Sequence, residues 1–230
     1  MTTIALERVA VTGGASGLGA AVAKAVREHG GSPIVLDLQE PADDVPWIKV
    51  DLADPEAAEP ALAEAEELIG PLTGVVTAAG IDACGRLTDV SLTDWVRVIQ
   101  VNLIGTAAVA RAAVPRLERC HGRIVTVAST LGLRALSDAT AYCASKFGVV
   151  GFSRALAVET AGRVGVTMLV PGGMRTSFFD GRPENYRPAP DADLADPGQV
   201  AATVIYALGQ PAGVEIRELV FCPSTEPSWP

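Results

Sequence analysis

Short apolar runs alternate with longer stretches of helical periodicity along the 230 residues. The runs 8–11, 33–37, 47–50, 74–78, 123–127, 164–170 and 218–221 are rich in Val, Ile and Leu and mostly lack in-and-out alternation. Strands covered on both faces read this way, because both sides of the sheet must be apolar. Between the runs, apolar residues recur at helical spacing over 17–29, 55–68, 92–119, 139–161 and 197–208. Two of these stretches begin on an Asp-Pro pair, Asp54-Pro55 and Asp196-Pro197. Such a pair is an N-cap followed by a residue whose fixed φ suits the first helical turn. The alternation predicts an α/β fold: a Rossmann-like, doubly wound, seven-stranded parallel sheet with helices on both faces. No internal period marks repeats, and one domain over 1–230 is expected. Two segments fall outside the pattern. Residues 177–193 form a polar loop with Phe178, Phe179 and Tyr186 embedded, and 223–230 form a Pro-rich tail.

Composition narrows the function. The chain is 49% hydrophobic, with a net charge of -9, and its mean hydropathy of +0.30 argues for a packed core. An acidic surface disfavours nucleic acid, whose phosphates need cations. No cationic segment followed by an apolar run opens the chain at Met1–Ile4, and the charge-free stretch 197–214 is interrupted by Pro and Gly. Neither a secretory segment nor a membrane span is expected. Cys84, Cys120, Cys143 and Cys222 have no paired spacing and read as reduced thiols of a cytoplasmic protein. His29 and His121 lack partners at ligand spacing, so no metal site is expected. Fifteen of the 18 basic residues are Arg, which makes Lys24, Lys49 and Lys146 conspicuous.

After the first strand comes Thr12-Gly13-Gly14-Ala15-Ser16-Gly17-Leu18-Gly19. A strand running through glycines into a helix brings backbone N–H groups and a helix N-terminus onto a pyrophosphate. Asp37 ends the second strand about 20 residues on, the distance at which a carboxylate accepts both adenosine ribose hydroxyls. It would repel a 2′-phosphate, and neither Leu38 nor Gln39 supplies a cation, so NAD is favoured over NADP. Asp51, next to Leu52 after the third strand, reads either as a partner of the adenine amino group or as a helix cap.

Tyr142 and Lys146 stand four apart in a helical stretch, on one face. An ammonium beside a phenol is expected to lower its pKa and let it exchange a proton with a substrate oxygen. Ser129, just past the fifth strand, is placed to hold that oxygen, with Thr130 as a rival hydroxyl. Asn102 interrupts the apolar helical run 98–110, either as an anchor for a water that serves Lys146 or as a structural kink.

Together these residues resemble the short-chain dehydrogenase/reductase family in its compact form. The resemblance rests on Thr12–Gly19, Thr77-Ala78-Ala79-Gly80, Asn102, Ser129, Tyr142-Cys143-Ala144-Ser145-Lys146 and Pro171-Gly172-Gly173-Met174-Arg175-Thr176. It implies a tetrad of Asn102, Ser129, Tyr142 and Lys146, with Tyr142 as general acid/base and Lys146 on the nicotinamide ribose. It also implies cofactor contacts from Ala79 and Gly80 and from Pro171, Gly172, Met174 and Thr176. Thr77 and Ala78 depart from the family's usual Asn-Asn, and Met174 stands where a β-branched residue is commoner. The expected activity is hydride transfer between NAD and a secondary alcohol or ketone. The alternatives are an NADPH-dependent ketoreductase of acyl-chain or polyketide metabolism and a non-catalytic nucleotide sensor. Thr130, Leu131, Leu133, Ser137, Gly173, Phe178, Phe179 and Tyr186 are the expected substrate-pocket walls. Arg182 and Arg187 read as solvent-facing, with a grip on an anionic substrate as the alternative. The resemblance implies a homotetramer, with a homodimer as the simpler assembly, through helices 92–119 and 139–161 and the last strand. Trp229 is expected at a subunit interface or beside a neighbouring active site.

Overall fold

The computed structural model describes residues 6–229. The segment Met1–Ile4, on which the expectation of no secretory run rests, lies outside them, as does Pro230 at the end of the tail. Seven parallel strands form one sheet: β1 (Arg8–Thr12), β2 (Ser32–Asp37), β3 (Trp47–Lys49), β4 (Gly74–Thr77), β5 (Arg123–Val127), β6 (Gly165–Pro171) and β7 (Glu218–Phe221). Their order is β3-β2-β1-β4-β5-β6-β7. Chain direction of travel across the sheet reverses between β1 and β4, and a cleft at the carboxyl edge is the consequence.

Successive strand residues feed two cores. Val9 and Val11 pack with α1 (Gly17–Glu28) and α6 (Pro197–Leu208) on one face. Ala10, Ile34 and Leu36 point the other way, toward α2 (Ala58–Ile69), α4 (Thr106–Leu117) and part of α5 (Thr140–Glu159). This two-sided burial is why the strands lack polar alternation.

The helices differ from expectation at two places. The second opens as a 3-10 turn, Pro55–Ala57, capped by the Asp54 carboxylate, before α2 begins. The stretch expected as one helix over 92–119 is α3 (Leu92–Ile99), a π-helical segment Gln100–Gly105, and α4. Gly105 closes that segment: a Cβ there would stand 2.6 Å from the Leu52 carbonyl oxygen, so the helix passes the loop after β3 at backbone contact. By length and composition, Leu92–Cys120 would pass for a membrane span, but half of that apolar window is buried inside the fold.

Candidate active site

The glycine loop lies at the β1–α1 junction. Gly13 has φ 66, and a Cβ would sit 2.6 Å from the Ala79 Cα. On Gly19 a Cβ would run into the Gly13 carbonyl oxygen. Backbone alone can pack this way. Ser16 caps α1 without a side-chain hydrogen bond, and no acidic residue occupies the first turn. The first N–H groups of α1 therefore meet neither a side-chain cap nor a carboxylate, an arrangement that fits a pyrophosphate. Gly17 lies against Thr176, whose side chain would be 3.4 Å from a Cβ there. The glycine loop and the segment after β6 thus border one cleft of about 620 Å³.

Of the sequence-selected residues, Gly13, Ser16, Gly17, Leu18, Gly19, Asp37, Asp51, Leu52, Ala79, Gly80, Ser129, Tyr142, Lys146, Pro171, Gly172, Met174 and Thr176 all line this cleft. Asp37 accepts from the Ala15 N–H at 3.0 Å and from the Gln39 N–H at 3.0 Å. It pins the glycine loop and keeps carboxylate capacity for further donors. Asp51 caps its own turn through the Ala53 N–H at 2.9 Å and pairs with Arg97 at 3.2 Å.

Asn102 stands apart from the cleft lining. It is completely buried in the π-helical segment. Its side-chain oxygen accepts from the Ile81 N–H at 2.8 Å, and its amide donates to the Ile81 carbonyl at 2.9 Å and to Ser145 Oγ at 3.0 Å. The side chain thus holds the chain after β4. Lys146 is 4% exposed and donates to the Val127 carbonyl at 2.9 Å. Its Nζ lies 5.6 Å from the centre of the Tyr142 ring. A Cβ on Gly80 would lie 3.6 Å from Asn102 Oδ1 and 3.7 Å from Lys146 Nζ, so Gly80 stands next to both side chains.

The electrostatics correct one expectation. Tyr142 is pushed up to about 12, chiefly by burial, with the Ser129 hydroxyl pulling the other way by favouring the phenolate. Lys146 is pushed down to about 8 by burial. Helical spacing places the two side by side, but burial of the phenol dominates and raises it.

The substrate end also differs from its expected walls. Thr130, Leu131, Gly173, Phe178 and Phe179 line it, with Leu136 in addition. Leu133 instead packs on the small core around Ala128, Val149 and Val150, and Ser137 and Tyr186 stay off the cleft. Arg182 does not face solvent: it pairs with Asp82 at 2.5 Å and stacks over Phe178 and Phe179. Phe178 in turn lies 5.7 Å from the Tyr142 ring. Arg187 is exposed and donates to the Arg182 and Asp180 carbonyls. Sequence reasoning missed Arg97, Asp82, Glu226, Pro227 and Ser228, which also border the cleft. The signal for the last three was topological: β7 pairs with β6 in register, Pro171 opposite Phe221, so the tail leaves the sheet beside the site.

A doubly wound sheet with a glycine cradle at β1 and a Tyr–Lys pair beside Ser129 at β5 defines a nucleotide-binding oxidoreductase. The family model for short chain dehydrogenase matches residues 7–187. An oxidoreductase of Staphylococcus aureus (strain N315) is 31% identical over 235 residues, covering 97% of this chain and 100% of the relative. The chain belongs to the short-chain dehydrogenase family. Solved structures agree in fold. A short chain dehydrogenase from Burkholderia cenocepacia J2315, in complex with NADP, superposes with TM-score 0.84 at 26% identity, covering 96% of this chain and 98% of that one. An alcohol dehydrogenase from Thermococcus sibiricus, complexed with 5-hydroxy-NADP, superposes with TM-score 0.82 at 23% identity, covering 93% and 95%.

Proposed function

We propose that this oxidoreductase is an NAD-dependent dehydrogenase that interconverts a secondary alcohol and a ketone. The observation that carries the reading is the convergence of Ser129, Tyr142 and Lys146 on one cleft with Asp37 at its far end. NAD is favoured because, among the described residues, the cleft offers no unpaired cation for a 2′-phosphate. Its basic residues are Arg97, Lys146 and Arg182. Arg97 is paired with Asp51, Arg182 with Asp82, and Lys146 is buried on the Val127 carbonyl.

The residues divide the work as follows. The glycine loop and α1 would hold the pyrophosphate, Asp37 would accept ribose hydroxyls, and Thr176 and the backbone of Pro171–Met174 would form the nicotinamide end of the site. When bound, the oxidised nicotinamide supplies the hydride acceptor and a positive charge that favours a nearby phenolate. In oxidation Tyr142 takes the hydroxyl proton of the alcohol as its carbon gives up hydride; in reduction Tyr142 returns the proton to the ketone oxygen. Ser129 would orient that oxygen, and Lys146, with donors beyond its bond to the Val127 carbonyl, would hold the ribose beside the phenol. Positioning and proton transfer together supply the rate. The unit we propose is a cytoplasmic homotetramer or homodimer, with the exposed apolar side chains Leu92 and Val96 of α3 and Phe147 and Val158 of α5 as contact candidates.

The NADP complexes of the Burkholderia and Thermococcus proteins favour a second reading, an NADPH-dependent ketoreductase. Titration of the protein with each cofactor separates the two. NAD should bind at least about tenfold more tightly, and Asp37→Ser should erase the difference; each decade is about 1.4 kcal/mol. Tighter NADP binding by the wild type overturns the NAD reading.

A further inference from the structure

Residues 222–229, after β7, fold back onto the chain. Thr225 Oγ1 donates to Asp193 Oδ2 at 2.8 Å, and Arg134 donates to the Pro227 carbonyl at 3.3 Å. Ser228 is buried, and Glu226, Pro227 and Ser228 border the same cleft as Tyr142. The tail is a strap across the chain's own substrate end.

Glu226 is its chemically distinctive member. One carboxylate oxygen accepts from the Gly173 N–H at 2.9 Å. The other accepts from the Ser228 N–H at 3.2 Å and the Ser228 hydroxyl at 2.6 Å. A carboxylate has about four acceptor sites, so these three bonds leave it unsaturated. All three donors are neutral, and Glu226 makes no ion pair among the described residues. The other carboxylates bordering the cleft differ: Asp82 and Asp51 each carry an arginine partner, and Asp37 lies at the β2 end. A Cβ on Gly172 would collide with the Glu226 carboxylate, so this glycine is what lets the acid reach the segment after β6.

Two hydroxyls stand beside it: Ser228 Oγ lies within donating distance of both Glu226 Oε1, at 2.6 Å, and Thr130 Oγ1, at 2.7 Å. The strap wall thus presents a carboxylate with spare acceptor capacity, which favours a donor on its ligand.

Resting on the dehydrogenase reading above, we propose that Glu226 is a specificity-determining residue: it selects an alcohol with a second hydrogen-bond donor beside the reacting carbon and disfavours one bearing an anion there. A hydroxyl or an ammonium group supplies the same donor chemistry. The test compares kcat/KM for four matched probes, 2-butanol, 2,3-butanediol, 3-amino-2-butanol and 2-hydroxybutanoate, with the wild type, Glu226→Gln and Ser228→Ala. Urea unfolding confirms that each variant is folded. The wild type should prefer the diol or the amino alcohol over 2-butanol by about tenfold, on the scale of one charge-assisted hydrogen bond, and should use the hydroxy acid least. The diol and amino-alcohol arms tell hydroxyl from ammonium. Glu226→Gln should shrink the donor preference by about tenfold and raise the hydroxy acid relative to 2-butanol. Ser228→Ala loosens the strap but keeps the carboxylate, so the hydroxy acid should stay last. An unchanged ranking in Glu226→Gln, or an equal shift in Ser228→Ala, overturns the proposal while leaving the dehydrogenase reading intact. A wild type that oxidises none of the probes with either cofactor overturns both.

Discussion

Burial of Lys146 makes a pH-dependent contribution to stability that a single substitution exposes. The fold lowers this ammonium from 10.5 to about 8, by desolvation. Below about 8 both folded and unfolded chains carry the charge, and the fold bears the full penalty. As pH rises from there toward 10.5 the unfolded chain binds more protons than the folded one, so stability increases with pH in that window. At about 1.4 kcal/mol per pH unit, the span from 10.5 to about 8 corresponds to a penalty of about 3 kcal/mol. Lys146→Met removes the charge and keeps the stem, but it also leaves the Val127 carbonyl without its donor. That loss, about 1–3 kcal/mol, does not vary with pH. Tyr142, raised from 10.0 to about 12, costs stability above about 10 in both proteins and cancels in the difference. Equilibrium urea unfolding of the pair at a series of pH values should show the wild type gaining about 2.5 kcal/mol on the variant between about pH 7 and pH 10. A constant difference across that range would refute the desolvation argument.

Three further outcomes are expected. Gly19→Ala should weaken NAD binding by at least about tenfold in calorimetry through its collision with Gly13, whereas Gly151→Ala, with nothing within 4 Å, should bind normally and match or exceed wild-type stability. Asn102→Ala strips partners from Ile81 and Ser145 in the buried π-helical segment and should lower unfolding free energy by about 2 kcal/mol or more in urea titration. Burial and the Asp82 carboxylate push the Cys84 thiol up to about 12, so iodoacetamide near neutral pH should label it in the denatured chain and spare it in the native one, as read by peptide mass spectrometry.

The parts of this molecule that were legible in its sequence are those set by local periodicity. Two-sided strands such as Val9-Ala10-Val11 announce a sheet covered on both faces, and the glycines after β1 and the four-residue step from Tyr142 to Lys146 fall where the elements place them. Asn102 stood out as a misfit in its helix, but the π-helical segment around it and the close approach of Gly105 to the Leu52 carbonyl are tertiary features that no periodicity encodes. The Asp82–Arg182 pair joins residues 100 positions apart, so loop composition alone made Arg182 look solvated. Spacing placed an ammonium beside the Tyr142 phenol but not the dielectric around them, and desolvation reversed the expected direction of its pKa. Glu226 sat in a tail without apolar rhythm; only the β6–β7 pairing brings it to the cleft.

In the proposed mechanism Tyr142 moves the proton that accompanies hydride transfer. Its direct test is Tyr142→Phe, with cofactor affinity measured by titration and turnover of a secondary alcohol followed at the nicotinamide absorbance. Cofactor affinity should stay within about threefold of wild type and turnover should fall by about 100-fold or more, the scale of a lost general acid/base. A variant that binds the cofactor and turns over near the wild-type rate would contradict it.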